Sequence, residues 1–204
     1  RNSFFIGIVA TLLATALGTV AALGLSRPHM PFKAILMAIL ISPMIVPLII
    51  TAAGMFFFYS KMGLTHTYLG LILAHTALGT PFVVITVTAT LTGFDTNLIR
   101  ASQSLGADTM RTFFKVIMPL ILPGVISGGL FAFITSFDEV VVVMFVGSVE
   151  QITIPKQMWA GLRQETSPVI LCMATCLVAL SIALLTTVEM LRRRSERLRG
   201  IKQR

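Results

Sequence analysis

Apolar residues dominate the chain in long runs, and the few charges fall between them. No Asp, Glu, Lys or Arg occurs between Arg1 and Arg27, between Lys33 and Lys61, between Lys61 and Asp95, between Lys115 and Asp138, or between Glu165 and Glu189. Each gap holds the roughly 20 apolar residues that cross about 30 Å of hydrocarbon as a helix. The runs do not alternate apolar with polar as strands of a membrane barrel do. The pattern predicts five membrane-spanning helices, at about 4–25, 34–58, 68–92, 119–147 and 167–190. Five is an odd number and the chain opens on Arg1, so an earlier helix, making six, is expected upstream. The first segment is too long for a signal peptide, and another span soon follows it.

Composition agrees: 55% of the 204 residues are hydrophobic and only 12% charged, with a mean hydropathy of +0.90. A soluble domain normally carries about 25% charged residues, and disorder needs the opposite balance. The fold class expected is an all-α integral membrane protein. The positive charge is one-sided. Arg27, Lys33, Arg100, Arg111, Lys115, Arg192, Arg193, Arg194, Arg197, Arg199, Lys202 and Arg204 fall on one side of the spans, and Arg1, Lys61, Lys156 and Arg163 on the other. The positive-inside rule puts the richer side in the cytoplasm. Segments 26–33 and 93–118 are then cytoplasmic, 59–67 and 148–166 face outward, and the C-terminus is cytoplasmic. Residues 1–191 form the transmembrane domain and 192–204 a basic tail suited to anionic lipid rather than nucleic acid.

Within the spans, Ala10, Ala14, Gly18 and Ala22 make a small-residue stripe that predicts a close helix contact, inside this chain or against a partner. Pro43, Pro47 and Pro81 predict kinks, which either line a route or belong to ordinary packing. Cys172 and Cys176, at i, i+4 in the last span, read as small packing residues. His75 is either a neutral side chain satisfied by a neighbour or part of a proton relay. Tyr59, Tyr68 and Trp159 sit where interfacial anchors sit. Asp138 and Glu139 lie some 22 Å along a helix starting near Pro123, at 1.5 Å per residue, in the outer half of the membrane. Two readings stand: one of them caps a broken helix, or both, with Phe137 and Trp159 nearby, line a route for a cationic substrate.

The loop 93–118 carries the most information. Asp95 or Thr96 can cap a short helix, Gly106 fits just beyond its end, and Asp108 caps a second helix bearing Phe113, Phe114 and Val116 before Pro119. Two short helices with a glycine elbow make a knob suited to docking in a groove of another protein.

Leu105-Gly106-Ala107, followed by Phe113-Phe114-Lys115-Val116-Ile117-Met118-Pro119-Leu120-Ile121-Leu122-Pro123-Gly124, resembles the EAA loop of binding-protein-dependent ABC importer permeases. The family's Glu-Ala-Ala falls on Arg100-Ala101-Ser102, so a salt bridge made by that Glu has no counterpart here. Ser136-Phe137-Asp138-Glu139-Val140, Thr153-Ile154-Pro155-Lys156-Gln157-Met158-Trp159 and Leu162-Arg163-Gln164-Glu165-Thr166-Ser167-Pro168 look like the spermidine/putrescine branch. The resemblance implies the type I importer transmembrane fold (MetI-like) in a multi-pass protein of the bacterial inner membrane. Its partners would be a second permease subunit, a pair of ATP-binding subunits and a periplasmic substrate-binding protein. Arg100, Ala101, Ser102, Leu105, Gly106, Ala107, Asp108, Phe113 and Pro119 would meet the ATPase. The chain itself would bind no cofactor, ATP and Mg belonging to the partner; it carries no Gly-rich phosphate loop ending in Lys-Ser or Lys-Thr. Opines, amino-acid-like amines and ferric ion remain alternative cargoes. Two other classes stay open: an ion-coupled secondary transporter, for which the halves lack visible inverted repeats, and an intramembrane hydrolase using Ser127 or Ser136 with His75 as base.

Overall fold

The computed structural model describes residues 1–27, 30–95, 97–164 and 168–198. Thr96, the 165–167 end of the third branch motif and the tail from residue 199 lie outside the described residues. Every described element is helical: α1 (Asn2–Leu25), α2 (Lys33–Ile45), α3 (Leu48–Lys61), α4 (Tyr68–Thr92), α5 (Asn97–Ser104), α6 (Thr109–Thr112), a π-helical turn (Phe113–Ile117), α7 (Met118–Phe137), α8 (Val141–Val146), α9 (Ile154–Gln164) and α10 (Pro168–Leu198).

The core is a three-helix bundle of α1, α4 and α7. Lipid offers apolar helices no hydrophobic reason to associate, so close backbone approach must hold them, and here glycines set that approach. A Cβ on Gly18 would stand 2.7 Å from the Val83 Cβ, and one on Gly79 would stand 2.9 Å from the Ala132 Cβ and 3.4 Å from that of Ala14. The stripe on α1 is therefore filled by α4 of the same chain, and Ala10, Ala14, Gly18 and Ala22 are all buried. Threonines on α4 return their hydroxyls to the preceding turn, as Thr80 does to Thr76 O at 2.7 Å, while Thr76 also reaches Ala10 O on α1 at 3.4 Å. Leu12, Leu17, Val20, Ile49, Ile50, Phe57, Val178 and Ile182 cover the outside with apolar surface.

The expected single helix over 34–58 is two helices, α2 and α3, set at 107°. Two prolines account for it. The carbonyl that Pro43 leaves without a helical donor, Ile39 O, accepts from the Ser42 hydroxyl at 2.8 Å, so α2 continues past it. Pro47 forces its β-branched predecessor into extended backbone; Val46 has φ −71°, ψ 134° and ends the helix. The helix expected over 119–147 also stops early, at Phe137, and resumes as the six-residue α8. At its start it is longer than expected: 109–137 forms one apolar helix of 29 residues. Met118 N–H bonds Phe113 O, a π-type step placed just where Pro119 removes the next donor. By length and composition α1, α4 and 109–137 can each cross a membrane, the α2–α3 pair can serve as one bent span, and α10 contains the apolar stretch Leu171–Thr187. The chain directions place α5 and α6 at one end of the bundle and α8 and α9 at the other.

Candidate functional site

At the first end, α5 is built as a rigid piece. Asp95 Oδ1 accepts from Asn97 N–H at 2.9 Å at its start. At its end Gly106 N–H bonds Gln103 O at 2.9 Å and Ala107 N–H bonds Ser102 O at 3.1 Å, the paired closure of a Schellman motif. That closure needs a left-handed residue, and Gly106 has φ +80°. Asp108 Oδ1 then accepts from Arg111 N–H at 2.8 Å and starts α6. The Ser102 and Thr112 hydroxyls meet at 2.6 Å and tie α5 to the first turn of the long helix. Of the expected knob, only α5 is a separate helix; its intended second half is the beginning of the long helix Thr109–Phe137. Phe113 packs edge-to-face on Phe114 at 5.0 Å. Leu105 is 88% exposed, and Leu98, Met110 and Phe114 are exposed with it. Arg100, Ala101, Asp108 and Pro119 are exposed, Ser102 and Ala107 half-buried. The motif residues thus share one end of the fold, with apolar side chains presented outward.

At the other end, α7 stops at Phe137 and the two acids part. Asp138 is exposed. Glu139 is 6% exposed, and its Oε1 accepts from Val142 N–H at 2.8 Å, capping α8. Val142, Val143 and Val146 bury against Ala52 and Tyr59 of α3 and Leu71, Ala74 and Leu78 of α4. Phe137 packs on Phe133 at 5.4 Å and on Phe4 at 5.0 Å. Trp159, on α9, is 45% exposed.

A polar network around α8 went unread in the sequence. Lys156 Nζ donates to Val143 O at 3.3 Å and Ser148 O at 3.2 Å. Burial pushes this ammonium below the ordinary lysine pKa. Gln151 joins Ser148 N–H (3.0 Å) to His66 O (3.1 Å), and His66 N–H bonds Val146 O at 2.8 Å. Asn2 Nδ2 reaches Glu150 O and Ile152 O, while Ser3 Oγ accepts from Ile154 N–H. Single polar residues scattered over 150 positions carry no spacing signal, which is why the sequence concealed them. His75, 1% exposed, meets Ser136 Oγ through Nδ1 at 2.7 Å. The bond joins α4 to α7 one residue before Phe137, and so braces the helix end that carries the break.

Three comparisons bear on identity. The profile of a family described as "Binding-protein-dependent transport system inner membrane component" matches residues 14–197. The spermidine/putrescine transport system permease protein PotC of Haemophilus influenzae is 31% identical over 194 residues, covering 95% of this chain and 76% of that one. PotC of Escherichia coli K12 is 28% identical, covering 95% and 73%. The putrescine transport system permease protein PotI of E. coli K12 is 29% identical, covering 86% and 65%. Among solved structures, a chain of the MetNI methionine ABC transporter superposes with a TM-score of 0.66 at 20% identity, over 99% of this chain and 94% of that one. A chain of an amino acid ABC transporter gives 0.67 at 16% identity, over 94% and 90%; these two likenesses speak for the fold, a MetI-type permease bundle. The matched profile, the length over which the relatives align and the apolar helices agree, and the chain belongs to the binding-protein-dependent transport system inner membrane components, the multi-pass permeases of ABC importers.

Proposed function

We propose that this permease forms half of the route by which an ATP-driven importer takes up spermidine, putrescine or a closely related cationic amine. The PotC and PotI likenesses support the substrate class. In this reading the α5–α6 end faces the cytoplasm, as the distribution of Lys and Arg requires, and the C-terminus lies there too. An ATP-binding subunit docks on the exposed Leu98, Leu105, Met110 and Phe114, with Arg100, Ala101 and Ser102 on the same short helix. ATP and Mg are held by that subunit and its copy. A second permease subunit completes the route, a periplasmic binding protein delivers cargo at the α8–α9 end, and lipid covers the remaining apolar faces. Asp138, exposed at the break after Phe137, supplies a carboxylate to the passing ammonium groups, with Phe137 and Trp159 as aromatic neighbours of the mouth.

The observation that carries the reading is mechanical. α5 is closed by Gly106, pinned by the Ser102–Thr112 bond, and joined to a helix that runs from Thr109 to Phe137 and ends at Asp138. A push on α5 is thereby delivered as rigid-body motion to the far mouth. Reconstitution in proteoliposomes with the partner subunits tests it. Spermidine or putrescine should accumulate only with ATP on the α5 side and binding protein on the other. Accumulation that continues after ATP depletion while a proton gradient persists would contradict it and favour an ion-coupled transporter.

A further inference from the structure

A six-residue helix is too short to hold itself together, and its end groups have no helical partners. α8 is met at both ends by charges of the sign that suits each end, and its last turn is also held by Gly147 N–H on Val143 O at 3.1 Å and His66 N–H on Val146 O at 2.8 Å. The Glu139 carboxylate accepts from Val142 N–H in its first turn at 2.8 Å. The Lys156 ammonium donates to Val143 O, 3.3 Å away in its last turn, and to Ser148 O at 3.2 Å just beyond. An anion at the start and a cation at the end both complement the helix dipole. The two come from different bodies: Glu139 from the break that ends α7, Lys156 from α9, which packs on both α8 and α10.

We propose that Glu139 and Lys156 are a positioning pair that sets α8 as the gate at the α8–α9 mouth, Lys156 making the gate answer to movement of α9. This rests on the importer reading. Glu139 holds the hinge side, within the non-helical residues 138–140. Lys156 holds the free side. When α9 is displaced, the ammonium leaves the last turn of α8, which is then held only by His66 N–H on Val146 O and by its buried valines, and movement about the break becomes easier. Neither residue touches the cargo in this scheme; Asp138 does.

The test measures uptake and ATP hydrolysis together in the reconstituted importer, with and without binding protein. Lys156→Met keeps the length and apolar stem but loses the ammonium. It should lower uptake per ATP by about 5-fold or more, the low end of ordinary coupling energies, and raise hydrolysis in the absence of binding protein. Lys156→Arg should restore at least half of the loss. Glu139→Ala should behave as Lys156→Met, and Glu139→Gln, which retains an acceptor oxygen, should rescue it. Unchanged uptake per ATP in Lys156→Met overturns the proposal, as does an equal fall in uptake and hydrolysis, which marks a merely structural role. Normal uptake per ATP in Glu139→Ala also overturns it. A wrong substrate assignment shows separately, as wild-type vesicles that accumulate no polyamine; the pair is then judged from hydrolysis without binding protein, which needs no cargo.

Discussion

Gly106 is the residue on which the stiffness of α5 turns. Its φ of +80° is open to glycine and tolerated by asparagine, but a β-branched side chain is strained there. No atom lies within 4 Å of a Cβ built on it, so strain is the whole effect and crowding plays no part. Gly106→Val should therefore insert and assemble normally while uptake per ATP falls, and Gly106→Asn should retain most of it; paired uptake and hydrolysis assays separate the two. A Gly106→Val permease with normal uptake would remove the elbow from the mechanism. Asp138 invites a second substitution. Asp138→Asn should weaken uptake of a dication more than of a monocation, and the difference should shrink as salt is raised. Equal effects on both cargoes would leave Asp138 outside the route. The sequence named both residues because each has a local signature, a glycine between two capped helices and an acid inside an apolar run. It left open which acid does what, since the break that exposes Asp138 and buries Glu139 is a tertiary matter.

Among the elements, the long helix 109–137 departs furthest from what its sequence suggests. Pro119 reads as a boundary because a proline ends most helices, yet the π-turn at Phe113–Ile117 absorbs it. The opposite happens at Pro47, where a β-branched Val46 precedes the proline and the helix does break. The Ser102–Thr112 hydroxyl pair then joins α5 to this helix. Thr112→Val keeps the shape and removes the hydroxyl, and a hydrogen bond of this kind is worth about 0.5–1.5 kcal/mol. Thr112→Val should insert normally and lose coupling between hydrolysis and uptake, partly and to a smaller degree than Gly106→Val. Full coupling in that variant would mean that α5 is held by its partner alone.

At the scale of the whole molecule, two of the five expected spans, α1 and α4, lie where the uncharged gaps put them, because lipid imposes a length and forbids charge. The bundle interior was half-legible. The stripe on α1 announced a close contact, but only the fold shows that α4 fills it. Gly79→Val would set a branched side chain where a Cβ alone already stands 2.9 Å from Ala132 Cβ and 3.4 Å from Ala14 Cβ, and overpacking of this kind costs about 1–3 kcal/mol or more. It should lower the thermal stability of the purified protein in detergent, whereas a Gly54→Ala control inside α3, whose site is open, should not lower it. The network of Asn2, Ser3, His66, Gln151 and Lys156 was illegible, because it joins three stretches of chain that only folding brings together.

Leu105, 88% exposed on the docking end, is the side chain whose neighbour in the working transporter decides the matter. A photo-crosslinking residue placed at position 105 in the assembled importer, in native membranes, reports its neighbour directly. The expected result is a covalent adduct with the ATP-hydrolysing subunit, reached from the cytoplasmic face. Adducts confined to lipid, or to the substrate-binding protein on the opposite face, would contradict it.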